Sequence, residues 1–376
     1  MAAAREGGRH RAGSPATNGV HPADRGRVTL PPLVSVVIPT RDRWGMLRAT
    51  LVTVLAQRDV NLEVIVVDDG STTAPAHFPR DRRIRLLRQD PSRGVAEARN
   101  AGLAAASGPY VAFTDDDDLW APDKLSAQLR AMERTGAGWS SCGAVVVDNE
   151  LRIQNNQRAS QTGDVATRVL AANVVPGGGS GVVADTALVR RVGGFDPAFH
   201  MVADWDLWIR LALAAPLVAV DRPLVVYRMH AGGMSWRHDR TYDELRALEA
   251  KYAAERAARG VEMNWPRLEY WLGDRKQRAG DRVGAARSFL RSAPVIGRFK
   301  SITRALEALV WPEAHRFRYR RWGRRVPVPW RDQVETWLLP EQAPAELLDA
   351  VAPPAPSPIP GRAAARRPDR SRLGTG

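Results

Sequence analysis

The chain has 376 residues, of which 44% are hydrophobic, and a formal net charge of +14 at pH 7. This length allows one large domain and a smaller one, and no apolar run of about 18 residues indicates a membrane-spanning helix. The N-terminus lacks the apolar core of a secretory signal. The single cysteine, Cys142, excludes an internal disulfide and fits a reducing compartment. We therefore expect a cytoplasmic protein with Cys142 in a buried strand.

Much of the positive charge lies outside the region with a globular pattern. Arginine is concentrated in residues 1–30, 315–330 and 361–372, whereas the central part carries acidic clusters. A basic chain can bind nucleic acid or an anionic membrane. The sequence has no zinc-ligand spacing, P-loop, RNA-binding aromatic signature or helix-turn-helix pattern, so we expect no nucleic-acid partner.

Strand and helix signals alternate along the first half of the chain. Strands are predicted at 33–40, 62–71, 84–89, 109–118 and 139–147, and helices at 44–54, 95–107 and 122–133. Several of the strands are continuous β-branched runs, which is typical of strands covered on both faces. The alternation predicts an α/β fold with a mostly parallel sheet and helices on both faces.

Acidic residues follow three of these strands. Asp42 follows the first strand, Asp68 and Asp69 end the second, and the run 115–118 ends the fourth. Ligands of such sheets bind outside the carboxyl ends of the strands. The sequence therefore predicts a binding site where these acids converge.

The acidic run itself suits a divalent cation. If it continues the strand, Asp115 and Asp117 share one face and Asp116 and Asp118 share the other. Two carboxylates on one face suit Mg²⁺ or Mn²⁺, which prefer oxygen ligands. The alternative is that some of these acids, Asp118 above all, cap the helix that begins near Pro122.

Five segments, in this order, resemble family 2 glycosyltransferases of the GT-A fold. They are VSVVIPTRDR, EVIVVDDGS, ARNAGLAAASGPYVAFTDDDDLWAPDKL, GGFDPAFHMVADWDLWIRL and YRMH. The resemblance covers about residues 33–235. It implies a Rossmann-like nucleotide-diphospho-sugar transferase that takes a nucleotide-sugar donor and a glycan or lipid-linked acceptor.

The resemblance also implies roles for individual residues. Asp115 and Asp117 match the DxD element that holds the metal on the donor diphosphate, and His230 is a further candidate metal ligand or a structural residue. Asp42 stands where the family often has Asn. The implied substrate-binding residues are Pro39, Thr40, Asp42, Asp69, Arg99, Asp116 and Arg228.

The resemblance places the catalytic base at Asp204, the second acid of the family's Glu-Asp pair. The first acid of that pair is Ala203 here, which leaves Asp206 as an alternative base. Asp206 lies about 200° further round a helix than Asp204, so the two carboxylates do not easily serve one site. The glycine-rich segment 175–181 is either a loop over the acceptor or a plain connection.

The predicted reaction is an inverting, metal-dependent glycosyl transfer to a cell-surface glycan or lipid-linked acceptor. A carboxylate takes the proton of the acceptor hydroxyl, and a metal stabilises the charge on the leaving diphosphate. The first alternative, a nucleotidyltransferase, is disfavoured because no Gly-rich, Lys-containing phosphate loop follows the first strand. The second is a catalytically inactive nucleotide- or glycan-binding scaffold, which Ala203 favours.

The sequence predicts four parts of the chain. They are a disordered basic extension (1–31), the catalytic domain (32–238), a helical region (239–345) and a disordered Pro/Arg-rich tail (346–376). The helical region contains a tetratricopeptide-like helix pair. Its basic aromatic stretch, 315–330, predicts peripheral contact with an anionic membrane at the inner face of the plasma membrane, with a solvated or domain-packing segment as the alternative.

Overall fold

The structure is a computed structural model, and part of the chain lies outside its description. It describes residues 33–73, 78, 81–159, 161–230, 233, 240–311, 313–314, 318 and 325–338. The segments predicted to be disordered, 1–31 and 346–376, lie outside the described residues, as does most of the basic aromatic stretch 315–330.

The described strands form one nine-stranded sheet with the order β3-β2-β1-β4-β8-β6-β9-β5, and β7 pairs with β6. The strands are β1 (Leu33–Thr40), β2 (Asn61–Asp69), β3 (Ile84–Gln89), β4 (Tyr110–Phe113), β5 (Leu119–Trp120), β6 (Trp139–Val147), β7 (Ile153–Gln157), β8 (Val182–Asp185) and β9 (Leu217–Arg228).

Parallel pairing dominates the half of the sheet that carries the acids. Strands β3, β2, β1 and β4 are parallel neighbours, and β1 meets β4 with Val37 opposite Phe113. In the other half, β8 lies antiparallel between β4 and β6, whereas β6 and β9 are parallel. The ends of β1 and β4 therefore lie side by side at the edge predicted to bind ligand.

Helices cover the sheet and continue beyond it. The described helices are α1 (Trp44–Leu55), α2 (Val95–Ala105), α3 (Lys124–Thr135), α4 (Ala166–Ala171), α5 (Thr186–Arg191), α6 (Ala203–Ala214), α7 (Thr241–Lys251), α8 (Ala253–Ala258), α9 (Trp265–Arg278), α10 (Arg282–Arg291), α11 (Ala293–Ile296), α12 (Arg298–Val310) and α13 (Val328–Glu335), together with a 3₁₀ turn at Gly178–Gly181.

Both faces of the sheet are buried, because alternate residues of β1 belong to different cores. Val37 packs in a core that includes Trp205 and Leu211 of α6. Val36 and Ile38 pack in a second core with residues of α1 and α3. This alternation explains why β1 is a continuous apolar run. Cys142 of β6 is buried, as predicted.

The C-terminal helices α7, α9, α10 and α12 divide between two cores. Leu245 and Leu248 of α7 and Leu272 of α9 belong to the same core as α6. Helices α10 and α12 form a smaller cluster, with Phe289 of α10 among its buried residues. The predicted helix pair corresponds to α9 and α10, which pack directly against each other.

The acidic run does not continue the fourth strand, so the predicted alternation of its side chains is wrong. Strand β4 ends at Phe113, and the run forms a turn in which the Asp118 amide donates to the Asp115 carbonyl (3.3 Å). In an extended strand, the carboxylates of residues 115 and 117 would repel each other, as would those of residues 116 and 118. The turn reduces this repulsion because it lets the carboxylates point toward partners in other segments.

Lys124, in the first turn of α3, is a buried cation. Its ammonium lies 3.9 Å from the centroid of the Trp120 ring and has no hydrogen-bond partner among the described residues. Burial lowers the pKa of Lys124 to about 8. Below pH 8 the folded state therefore bears the cost of burying the charge. Between pH 8 and about 10.5 only the unfolded state holds the proton, so the free energy of unfolding rises with pH through this site.

We expect Lys124→Met to raise the free energy of unfolding at pH 7 by up to about 3 kcal/mol, because it removes the buried charge. Urea unfolding of both proteins at several pH values measures this gain. The difference between them also cancels the opposite effect of Cys142, whose pKa burial raises to about 11. The gain should shrink by pH 10, and a gain that is the same at pH 7 and pH 10 contradicts the account.

Candidate active site

The acidic turn is held by basic side chains from distant parts of the chain. Arg99 of α2 forms an ion pair with Asp115. Arg43, just before α1, donates to Asp117 (2.8 Å), and the His230 Nε2 lies 2.9 Å from the same Asp117 oxygen. Each of these two carboxylates is thus balanced by at least one basic side chain.

Asp116 is fully buried and shares the Arg43 guanidinium with Asp117. It accepts a hydrogen bond from the Thr40 hydroxyl (2.6 Å) and lies 2.7 Å from the Arg43 guanidinium. Burial raises the pKa of Asp116 to about 7, with Asp117 adding to the rise and Arg43 opposing it. Asp116 therefore joins the ends of β1 and β4 rather than facing a ligand.

Asp118 is fully buried, and one of its carboxylate oxygens lies near those of Asp115 and Asp117. Its carboxylate accepts hydrogen bonds from the Ser180 hydroxyl and from the Arg228 amide (3.0 Å). Burial raises the pKa of Asp118 well above its usual range, and Asp117 and Asp115 add to the rise. These contacts connect the acidic turn to β9, and none of them caps α3.

Three of the four acids could together hold a cation. One carboxylate oxygen from each of Asp115, Asp117 and Asp118 lies within 4.8 Å of the others. An all-oxygen carboxylate set suits a hard cation such as Mg²⁺ or Mn²⁺, so these residues fit the metal that the family resemblance implies. His230 touches this set through Asp117, and its role as a ligand stays a prediction.

The predicted nucleotide-binding residues lie beside the turn, in the connections after β1 and β2. Asp42 has a positive φ of 54° and accepts hydrogen bonds from the Thr72 amide (2.7 Å) and hydroxyl (2.9 Å). The Thr72 hydroxyl is the main cause of the lowered pKa of Asp42. Pro39 and Thr40 are buried at the end of β1. Asp42 thus ties together the two connections that border the predicted nucleotide position.

Asp69, at the end of β2, organises the segment before α2. It accepts hydrogen bonds from the Ser92 hydroxyl (2.7 Å) and from the amides of Arg93 (2.7 Å) and Gly94 (2.9 Å). Both of its oxygens are engaged within the chain, so contact with a base or ribose remains a prediction.

Asp204 and Asp206 point to different environments. Asp204, in the first turn of α6, lines a cavity together with Asp115 and Arg99. Burial raises the pKa of Asp204, and the charge of Arg99 opposes the rise. Asp206 is fully buried and binds Arg210 (2.5 Å) and Lys251 (2.6 Å), so its carboxylate is part of the packing of α6 against α7.

The glycine-rich segment 175–181 lies close to Asp204 and to the acidic turn. Gly178 has a φ of 54°, and a Cβ built on it would lie 3.7 Å from the Asp204 Oδ2. A Cβ on Gly181 would lie 2.3 Å from the Pro176 carbonyl oxygen, which no side chain tolerates. The Asp115 amide donates to the Ser180 hydroxyl (3.0 Å). The segment is a packed 3₁₀ turn that connects Asp204 to the acidic turn.

The cavity has a volume of about 640 Å³ and two chemically different walls. One wall carries Asp115, Arg99 and Asp204. The other is the cavity side of α9, which we call the α9 wall. It consists of Arg267, Leu268, Tyr270, Trp271, Asp274, Arg275 and Arg278. Aromatic and basic side chains therefore face the two carboxylates across this space.

Sequence reasoning missed several residues that complete the site. Arg43 and Ser180 hold the acidic turn, Asp118 joins its cation-binding set, and α9 supplies a whole wall. Of these residues, only Asp118 could have been identified from the sequence, because it belongs to the acidic run. The positions of the others depend on contacts between segments far apart in the chain.

Residues 35–192 match the family model described as Glycosyl transferase family 2. This part of the chain is therefore similar to family 2 glycosyltransferases. The match confirms the resemblance stated from the sequence and, with the observed sheet and helices, the predicted GT-A fold class with added C-terminal helices.

Curated relatives are similar to parts of this chain. An uncharacterized glycosyltransferase of Rickettsia bellii is 28% identical over 216 residues, which cover 56% of this chain and 31% of the relative. The UDP-Glc:alpha-D-GlcNAc-diphosphoundecaprenol beta-1,3-glucosyltransferase WfaP of Escherichia coli is 28% identical over 210 residues. These cover 54% of this chain and 80% of the relative. The chain thus spans about a third of the length of the first of these relatives.

A solved structure that aligns with this chain is TarS 1–349 of S. aureus in complex with UDP-GlcNAc. It aligns with a TM-score of 0.49 and 17% identity, covering 76% of this chain and 91% of that chain. At this TM-score the likeness adds no argument about the site.

The two acids of α6 should differ in their effect on stability. We expect Asp206→Ala to lower the free energy of unfolding by about 3 kcal/mol, because it leaves the cations of Arg210 and Lys251 without their buried partner. Asp204→Asn should change it by less than about 1 kcal/mol, because the amide oxygen can still accept from the Trp205 amide. Urea unfolding of the two variants measures both values, and equal losses contradict this assignment.

Proposed function

We propose that the chain transfers a glycosyl group from a nucleoside diphosphate sugar to a lipid-linked glycan acceptor, with inversion at the anomeric carbon. The observation that carries the proposal is the shared cavity of about 640 Å³, which is lined both by Asp204 and by Asp115 of the acidic turn. One base and one diphosphate site suffice for a single displacement, and the family match supports this reaction class.

The donor diphosphate would lie against the acidic turn. Asp115, Asp117 and Asp118 would hold Mg²⁺ or Mn²⁺, which when bound neutralises charge on the leaving diphosphate. Pro39, Thr40, Asp42 and Asp69 would border the nucleoside, in the connections after β1 and β2. The basic groups of Arg99, Arg228 and His230 lie beside the acids and would add positive charge where the leaving phosphate develops its charge.

Asp204 would take the proton from the acceptor hydroxyl. Its carboxylate lines the cavity, and α6 anchors it through the buried side chains of Trp205 and Trp208. A carboxylate whose pKa burial has raised is a stronger base than an exposed one. Because Asp206 is engaged with Arg210 and Lys251, Asp204 is the acid of this pair that can reach a substrate.

The acceptor would lie along the α9 wall. Trp271 is 38% exposed there and offers a flat surface on which a sugar ring can stack. Arg267 and Arg278 line the same wall and suit an anionic group such as a diphosphate. The name of the Escherichia coli relative describes a diphosphoundecaprenol acceptor, which combines a sugar with such a group.

The place of action would be a membrane surface on its cytoplasmic side. In the described part of the chain, no helix is both long and apolar enough to cross a membrane. In this proposal, the chain would reach a lipid-linked acceptor by peripheral contact.

The alternative that Ala203 favours is an inactive scaffold that binds the nucleotide sugar without transferring it. Turnover separates the two functions. A scaffold would bind donor and release no nucleoside diphosphate in the presence of any acceptor.

The first test of the enzyme is Asp204→Asn. This change keeps the shape of the side chain and removes its ability to accept a proton, a step that typically contributes about 10²–10⁴-fold to the rate. We expect the transfer rate to fall by about that factor while the donor binds as before. The assay measures nucleoside diphosphate release with a lipid-linked acceptor, and calorimetry measures donor affinity.

Asp243→Asn makes the same change in the first turn of α7, where the side chain is exposed, and serves as the matched control. It should transfer like the parent. Transfer by Asp204→Asn at nearly the parental rate would show that another group is the base.

A second test addresses the donor site through Asp117→Asn. Nucleoside diphosphate binding should depend on Mn²⁺ or Mg²⁺ in the parent, and this variant should lose at least about tenfold of the metal-dependent gain in affinity. The control is Asp123→Asn, six residues further along the chain, whose side chain pairs with Arg222 outside the acidic turn. Thermal shift titrations of nucleoside diphosphate with and without metal give the comparison. If Asp117→Asn keeps the full metal effect, the donor-site assignment is wrong.

A further inference from the structure

One face of α12 exposes large apolar side chains at helical spacing. Phe299 is 83% exposed, Ile302 50%, Leu306 55% and Val310 81%. The opposite face of the same helix buries Ser301, Ala305 and Ala308, together with Arg304, against neighbouring helices. This arrangement reverses the usual pattern of a surface helix, whose large apolar residues face the core.

Helices α10 and α11, which pack against α12, expose further large apolar side chains. We call this surface the α10–α12 face. Its exposed apolar members are Val283, Leu290, Val295, Phe299, Ile302, Leu306, Leu309, Val310 and Trp311. Large apolar side chains exposed together on packed helices are typical of an interaction site.

Positive charge surrounds these side chains. Residues 282–311 contain five arginines, one lysine and a single acid, Glu307. Glu307 is already paired with Arg318 (2.8 Å) and Arg304 (3.2 Å). The exposed cations are Arg282, Arg287, Arg291, Arg298 and Lys300. A face that combines apolar and basic side chains is typical of helices that lie in the interface of an anionic membrane.

Other occupants of the face lack the complementary charge. A second copy of the chain would bring two basic faces together, which like-charge repulsion opposes. The C-terminal residues 339–376 carry five arginines and four acids, so this segment offers no net negative charge. Anionic lipid offers both an apolar interior and a negative surface.

We propose that the α10–α12 face docks the chain on an anionic lipid surface. The face adjoins the cavity, because the Lys300 Nζ lies 5.8 Å from the centroid of the Tyr270 ring, and Tyr270 belongs to the α9 wall. Docking there would present a lipid-linked acceptor to the cavity. That use rests on the proposed function, whereas the docking itself does not.

The test is sedimentation of the full chain with vesicles of phosphatidylcholine alone or with phosphatidylglycerol added. We expect binding to the anionic vesicles only, weakened by salt because the cations are exposed. Phe299→Ser combined with Val310→Ser should reduce the partition coefficient at least about tenfold, since two large apolar side chains are lost. The matched control is Leu86→Ser, a change of an exposed apolar residue of β3, and it should bind like the parent.

A set of arginine variants tests the electrostatic contribution to vesicle binding. Arg282, Arg287 and Arg298, all changed to Gln, should together reduce binding about a hundredfold, because each cation near an anionic surface contributes about fivefold. The same change at exposed Arg48, Arg134 and Arg191, which lie on other helices or helix ends, should have a much smaller effect.

Equal partitioning to neutral and anionic vesicles, or parental binding by the Phe299/Val310 variant, overturns the proposal. So does a light-scattering mass that falls from dimer to monomer in that variant while vesicle binding persists. Failure of the proposed function looks different, because the parent would then bind vesicles and transfer sugar to no acceptor. If both hold, the docking variants should lose transfer to a membrane-bound acceptor and keep transfer to a short-chain, water-soluble one.

Discussion

Four consecutive carboxylates lie in one largely buried turn, and their mutual repulsion has to be balanced by groups from elsewhere in the chain. At 4 Å and an effective dielectric constant near 20, each like-charged pair costs about 4 kcal/mol. Arg99 pairs with Asp115, and Arg43 and His230 both contact Asp117. The hydroxyls of Ser180 and Thr40 donate hydrogen bonds to Asp118 and Asp116. The turn is therefore the point at which the connection after β1, helix α2, the 3₁₀ turn and the end of β9 are fixed relative to one another.

This balance also explains why so acidic a turn can serve a ligand. The carboxylates of Asp116 and Asp118 are turned to internal partners and support the turn, whereas Asp115 and Asp117 lie closer to its surface. The same division recurs in α6. Asp206 forms ion pairs with Arg210 and Lys251, which hold α6 in place, whereas Asp204 lines the cavity. In both places an acid that is bound within the chain lies near one that lines the cavity, which is Asp115 in the turn and Asp204 in α6.

The sequence predicted those parts of the fold that depend on local patterns. Continuous apolar runs located β1, β2 and β4, and the family motifs located the acidic turn and Asp204. It could not predict that β8 lies antiparallel between β4 and β6, because strand order depends on packing between distant segments. The end of β4 was missed because partners from other segments, such as Arg43 and Ser180, draw the acids into a turn. The α9 wall was missed because no local pattern says which face of a helix meets a cavity.

The central claim is that the acidic turn binds the donor diphosphate through a metal. The most direct measurement is anomalous diffraction from crystals of the unaltered protein grown with uridine diphosphate and Mn²⁺. The account predicts a manganese peak within about 2.2 Å of carboxylate oxygens of the acidic turn and in contact with the diphosphate. Bound nucleotide with its diphosphate elsewhere, or a manganese peak only at sites away from Asp115, Asp117 and Asp118, would contradict it.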